Sequence, residues 1–443
     1  MARDNPSPVS SIPRIRLAVL FMVMLVAAAG NTAMQSVLPA IGATLDLPDV
    51  FVSLAFSWSA LLWVLTAPRW ARQSDQRGRK ALMRVGILGF VASMMLCALA
   101  LWAGLNGWIG GTLAFLLFAV FRSLYGGFGS AAPPAVQAYV AARTPPEERT
   151  KALSLVASAF GLGTVIGPTL APFLVLPIVG LAGPMFVFSA IGVLTLTGLK
   201  LYLPDDTPSF DVKGRVASYT GTDAHAVPGP DMLDDKGDQI FPGSDSAPRL
   251  AWTDRAVLPW HIAGLIGGHA QAMIAGIVGF LILDRLLLRT TPELAALPTG
   301  HVMWVGAMAT LLAQWGLIPL LSPNPRSAVS WGSGIAGVGT LVLAWGADLA
   351  TIGTGFAIAA LGFGLYRPGF TAGASLAVPR GQQGQVAGQV ASINGAAYIV
   401  APAIGVGIYN WHPELSFGLI ATLCFGLAIW GWKSLHSPVS ERS

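Results

Sequence analysis

Two arginines fall where arginine is costly. Arg122 lies well inside the apolar run 110–140, and Arg367, beside Pro368, lies inside the run 350–378. A guanidinium at such a position faces a cavity or a partner, or else snorkels to the nearest interface. Amide and imidazole groups occur at comparable depths: Asn31 and Gln35, His269 and Gln271, Gln314, and Asn394. All are candidates to line a shared cavity. His269, with Gln271 nearby, has the side chain best suited to carrying a proton near neutrality; a structural histidine bonded to a neighbouring helix is the alternative. No Asp or Glu falls in the middle of an apolar run, and Asp284 stands at the end of one. The sequence has no nucleophile or metal constellation and no G-x-x-x-x-G-K-[ST] string, so neither bond-making chemistry nor ATP drive is expected. The chemistry these residues could do is recognition and charge movement.

Such residues need long apolar helices to hold them. The chain has 443 residues, 54% hydrophobic and 11% charged, with a mean hydropathy of +0.64. Soluble domains carry about 25% charged residues, so this composition excludes a soluble enzyme and points to a membrane protein. The net charge of +5 is spread over the ends of apolar runs, and no continuous basic face suggests nucleic acid. Cys97 and Cys424 read as small core residues.

Apolar runs of membrane-crossing length predict twelve spans, near 17–42, 50–68, 82–103, 110–140, 151–175, 180–202, 257–284, 300–321, 328–347, 350–378, 384–409 and 415–434. The first run resembles a signal peptide up to Ala27-Ala28-Ala29-Gly30, but it continues to Ile41 and reads as a span. Lys and Arg collect on one side of the twelve, at Arg14, Arg16, Arg69, Arg72, Arg77, Arg79, Lys80, Arg143, Arg149, Lys151, Arg326, Arg380 and Lys433. The positive-inside bias therefore predicts a cell (inner) membrane protein with both termini cytosolic.

The chain divides into an N-terminal six-helix bundle (1–203), a Pro-, Gly-, Ser- and Asp-rich cytosolic linker expected to be largely disordered (204–256), a C-terminal six-helix bundle (257–435) and a cytosolic tail (436–443). The halves repeat. Gly127-Phe128-Gly129 and Pro133 match Gly362-Phe363-Gly364 and Pro368, while Ala157-Ser158, Gly161 and Pro168 match Ala391-Ser392, Gly395 and Pro402, at nearly one common offset.

Between the second and third runs stands Asp75-Gln76-Arg77-Gly78-Arg79-Lys80. Asp75, Gly78, Arg79 and Lys80 resemble the loop 2–3 signature of the major facilitator superfamily, with Ala71 and Gln73 departing from its first positions. Arg122 with Gly126 resembles the R-x-x-x-G motif of that family's fourth helix, implicated in proton coupling. Gly163, Gly167 and Pro168 resemble its helix-five antiporter motif, with Ala171 and Pro172 departing from the final glycines. The resemblance implies an all-α membrane protein of the major facilitator fold, with twelve transmembrane helices in two pseudo-symmetric six-helix bundles. It also implies a cytosolic gate at Asp75, Gly78, Arg79 and Lys80, and coupling at Arg122 or His269. On this reading the chain is not an enzyme but a secondary transporter akin to multidrug or tetracycline antiporters. It would export small amphipathic or drug-like solutes on a proton gradient, without a cofactor and as a monomer. An importer or uniporter of a small metabolite on the same fold is the alternative.

Overall fold

The computed structural model describes residues 12–144, 146–205, 250–379 and 382–435. Most of the expected linker (206–249) and the tail (436–443) lie outside the described residues. Among the described residues the expected helical class holds. The helices are α1 (Arg14–Thr44), α2 (Asp49–Arg77), α3 (Arg79–Leu105), α4 (Gly111–Phe128), α5 (Ala132–Arg143), α6 (Pro146–Leu170) and α7 (Gly183–Tyr202) in the first half. The second half contains α8 (Leu258–Arg285), α9 (Ala296–Leu311), α10 (Ile318–Leu321), α11 (Pro325–Trp345), α12 (Leu349–Leu376), α13 (Gln383–Trp411) and α14 (Pro413–Ser434). Among the described residues, 11 helical stretches are long and apolar enough to cross a membrane, and a shorter one, Ser158–Leu174, stands where the fifth span is expected.

Two predicted spans are interrupted. The fourth is α4, one 3-10 turn at Gly129–Ala131, and α5, with Pro133 and Pro134 in the first turn of α5. The eighth passes through a π-helical turn, Leu312–Leu317, before Pro319. Boundaries follow local chemistry. Gly78 separates α2 from α3 at φ 87°, a backbone region open to glycine at little cost. Asn324 accepts the Ser327 amide at 2.8 Å and so caps α11; Asp348 accepts the Thr351 amide at 2.9 Å and caps α12. That amide holds the Asp348 carboxyl below its ordinary range.

The halves use one pairing scheme. In the first, α1 packs on α6 and α7, α3 on α4 and α7, and α2 on α4. In the second, α8 packs on α13 and α14, α11 on α12 and α14, and α9 on α12. Between halves, α2 meets α13 and α6 meets α9. These contacts include Val64 against Gly395, Val50 against Gly407, Pro172 against Gly300, and Pro39 of α1 against Gly279 of α8.

Candidate functional site

The first half supplies a caged arginine. Arg122 is 1% exposed. Its Nη2 donates to Asn31 Oδ1, and its guanidinium carbon lies 4.8 Å from the Tyr125 ring centroid and 5.8 Å from that of Phe56. Its Nε and Nη1 are buried without a hydrogen-bond partner. Tyr125 donates to the Ala27 carbonyl at 3.2 Å and packs against Trp63 and Phe90. An aromatic cage of this kind stabilises a cation through the ring faces, and among the described residues no carboxylate pairs with it. Gly126, one turn along, lets α4 approach the Ser59 backbone of α2.

The small-residue motif performs the close approach that its composition implies. A side chain at Gly163 would meet Ala28 Cβ at 2.8 Å, and one at Gly167 would meet Thr32 Oγ1 at 2.5 Å. Thr32 turns its hydroxyl to the Ala28 carbonyl at 2.9 Å. Pro168 lies inside α6 and is buried. The motif thus seats α6 on α1, where α6 also touches α9 of the other half.

The expected gate lies only in part within the described residues. The side chain of Asp75 lies outside the described residues. Arg79 is half-buried. Lys80 is buried, donates to the Leu203 carbonyl at the end of α7, and pairs with Asp205 at 3.0 Å. It therefore closes its own half and makes no bond to the other. Arg326 is its counterpart: also second in its helix, it donates to the Trp432 carbonyl near the end of α14.

The other candidates scatter. Gln35, Gln271, Gln314 and Asn394 are half-buried. His269 binds the Leu265 carbonyl of its own helix through Nδ1 at 2.7 Å. It lines an apolar pocket of about 300 Å³ with Leu265, Met273, Ile404, Leu419 and Leu423, between α8, α13 and α14. Its Nδ1 bond is within α8 and not to the neighbouring helix that the structural alternative expected. Arg367 is exposed on α12. Its neighbour Tyr366 donates to the Ala263 carbonyl of α8 at 2.9 Å.

One cluster escaped the reading of the sequence. At the face opposite the N-terminus, Arg289 reaches from the loop between α8 and α9 to Asp49 at the start of α2, with a fork of 2.9 and 2.7 Å. Its Nε donates to Asp284 at 2.6 Å, and Tyr409 donates to the second oxygen of Asp284 at 2.8 Å. Asp49 is 4% exposed. The hydrogen bonds it donates to Asp49 raise the Arg289 guanidinium above its ordinary value, against desolvation. Paired forks of this kind are the strong form of charge-assisted bond. The signal was present: Arg289 is one of few cations on a face otherwise poor in them.

Two helical bundles of matching pairing, apolar enough to cross a bilayer and tied by a charged clasp at one face, define a multi-pass membrane protein of the transporter type. A profile of the Major Facilitator Superfamily matches residues 20–402, and the chain belongs to that family, one of transporters and not of enzymes. The sequence is similar to the "Probable actinorhodin transporter" of Streptomyces coelicolor, 30% identical over 39% of this chain and 31% of that protein. It is also similar to "Multidrug resistance protein 2" of Bacillus subtilis, 29% identical over 38% of each. The chain thus spans about a third of the length of these curated relatives. The xylose transporter XylE from E. coli, solved in an inward open conformation, shares the fold with a TM-score of 0.67 at 14% identity, over 95% of this chain and 96% of that one.

Proposed function

We propose that this chain is a secondary active transporter that exports small amphipathic or drug-like solutes by alternating access, driven by the proton gradient. It works as a monomer in the cell membrane with both termini in the cytosol. The observation that carries the reading is the Arg289–Asp49 fork. It joins the halves at one face by a bond that opens without unpacking either bundle, as rocking of two rigid units requires. The Gly163–Gly167 contact of α6 on α1 and the multidrug-type relatives support the outward direction. The test is transport in inverted vesicles with an imposed pH gradient. Proton-dependent loading of solute, abolished by a protonophore, is the expected result. Loading that ignores the protonophore counts against proton drive, and loading only in right-side-out vesicles favours an importer.

A further inference from the structure

The two interior arginines point to a substrate class. More than two helical turns from either end of a described span, the sequence places two charged residues, Arg122 and Arg367, and no carboxylate. Both face the region where the halves meet. On α4, Arg122 sits between the sides that pack on α1 and α2: Tyr125 bonds Ala27 of α1, and Gly126 abuts Ser59 of α2. Both of those helices touch the second half, through Pro39 against Gly279 and Val64 against Gly395.

The same holds for Arg367. Tyr366 faces α8. Gly364 faces Thr310 and Ala313 of the eighth span, while Gly362 and Gly369 face α11. At about 100° per residue, position 367 falls between the α8 side and the α9 side, away from α11. Those two helices are the ones that touch α1 and α6 of the first half. Arg367 is exposed there, and among the described residues its guanidinium has no hydrogen bond or ion pair. In the first half, Arg122 carries a second charge whose Nε and Nη1 lack partners at 1% exposure. Two uncompensated cations in a low-dielectric interior create a positive potential that favours anions and repels cations.

We propose that the solute is an organic anion, an amphipathic molecule bearing a carboxylate or sulfonate, held through that group by the Arg367 fork, with Arg122 supplying further positive potential. This deepens the transport reading and rests on it. Arg367 is a binding residue on this account, and its planar fork suits a carboxylate better than a lysine would.

The test uses the full chain reconstituted in liposomes under a pH gradient, with carboxyfluorescein as the anionic probe and tetraphenylphosphonium as the cationic one. Saturable carboxyfluorescein transport is expected. Arg367→Ala should raise its half-saturation concentration roughly tenfold, the loss of one charge-assisted bond. Arg367→Lys should recover part of the affinity, and Arg367→Glu should shift preference towards tetraphenylphosphonium. Because Arg367 is exposed, these variants should keep the wild-type melting temperature in detergent, which is checked alongside. Transport of tetraphenylphosphonium and not carboxyfluorescein by the wild type overturns the anion proposal and leaves the transport reading standing. Unaltered carboxyfluorescein affinity in Arg367→Ala overturns the site. A wild-type chain that moves neither probe overturns both readings.

Discussion

The halves share a frame and differ in what they place inside it. In each, a cation in the first turn of the third helix reaches a carbonyl near the end of the sixth: Lys80 to Leu203, and Arg326 to Trp432. In each, a tyrosine on the fourth helix bonds a carbonyl of the first: Tyr125 to Ala27, and Tyr366 to Ala263. The inward-facing arginine breaks the likeness. The first half cages Arg122 among Asn31, Phe56 and Tyr125, whereas the second leaves Arg367 exposed. Features that hold a bundle together recur, and the interior arginines, which the proposed reading assigns to the solute, do not. Residues of the second kind therefore identify the working surface.

The severest way to break this comparison is at the close contact of α1 and α6. Gly167→Leu puts a branched side chain where even a Cβ would lie 2.5 Å from Thr32 Oγ1, so the first half should lose about 3 kcal/mol or more and fail to accumulate folded. Gly161→Ala, where a Cβ meets nothing within 4 Å, should be silent. Thermal unfolding in detergent reads both; equal melting temperatures for the two variants would show that α6 does not bear on α1.

Next in size is the arginine cage. Asn31→Leu removes the side chain that accepts from Arg122, leaving a buried guanidinium held by ring faces alone. The expected loss is about 1–3 kcal/mol, and transport should fall with it. Arg367→Ala, at the exposed position of the other half, should leave stability unchanged. A stability loss at Arg367 as large as that at Asn31 would erase the distinction between caged and free cation.

How much of this was legible beforehand depends on whether the signal is local. Apolar length and Gly–Pro punctuation are local, so the helices and the turn at Gly78 follow from the sequence. Arg122, Asn31 and the Gly163–Gly167 pair could be named because each occupies an unusual place for its residue type, although the bond from Arg122 to Asn31 joins positions 91 residues apart. Lys80, read from the sequence as part of a gate, bonds within its own bundle in this arrangement. Its charge is visible in the sequence, but whether a flexible lysine turns across the interface or back to a carbonyl of its own bundle is decided by packing. The Asp49–Arg289 fork stayed hidden because it links residues 240 apart: Arg289 stands out on its face, but nothing local names its partner. His269 shows the converse: a promising depth in the sequence, but a rotation on α8 that turns it to an apolar pocket.

A third prediction concerns the clasp that joins the halves. Because its acidic partners raise Arg289 above its ordinary value, the cation persists at any pH up to the usual arginine range. Arg289→Ala should increase maleimide labelling of a cysteine placed at Val50, beside Gly407, by several-fold at neutral pH, and should lower the melting temperature because it leaves the buried Asp49 carboxylate without its partner. Labelling unchanged by Arg289→Ala would contradict the assignment.

The smallest effect tests the shared frame itself. Lys80→Met and Arg326→Met each remove a cation from the carbonyls at a helix end, an interaction of about 0.3–1 kcal/mol at exposed helix termini, and each should lower the melting temperature by a few degrees at most. Neither should alter maleimide labelling at Val50, because neither cation crosses between the halves in the arrangement described. If Lys80→Met alone changed labelling, Lys80 would act across the interface in another state, as its position beside Gly78 and Arg79 first suggested. The two half-internal clasps would then be alike in geometry and unlike in function.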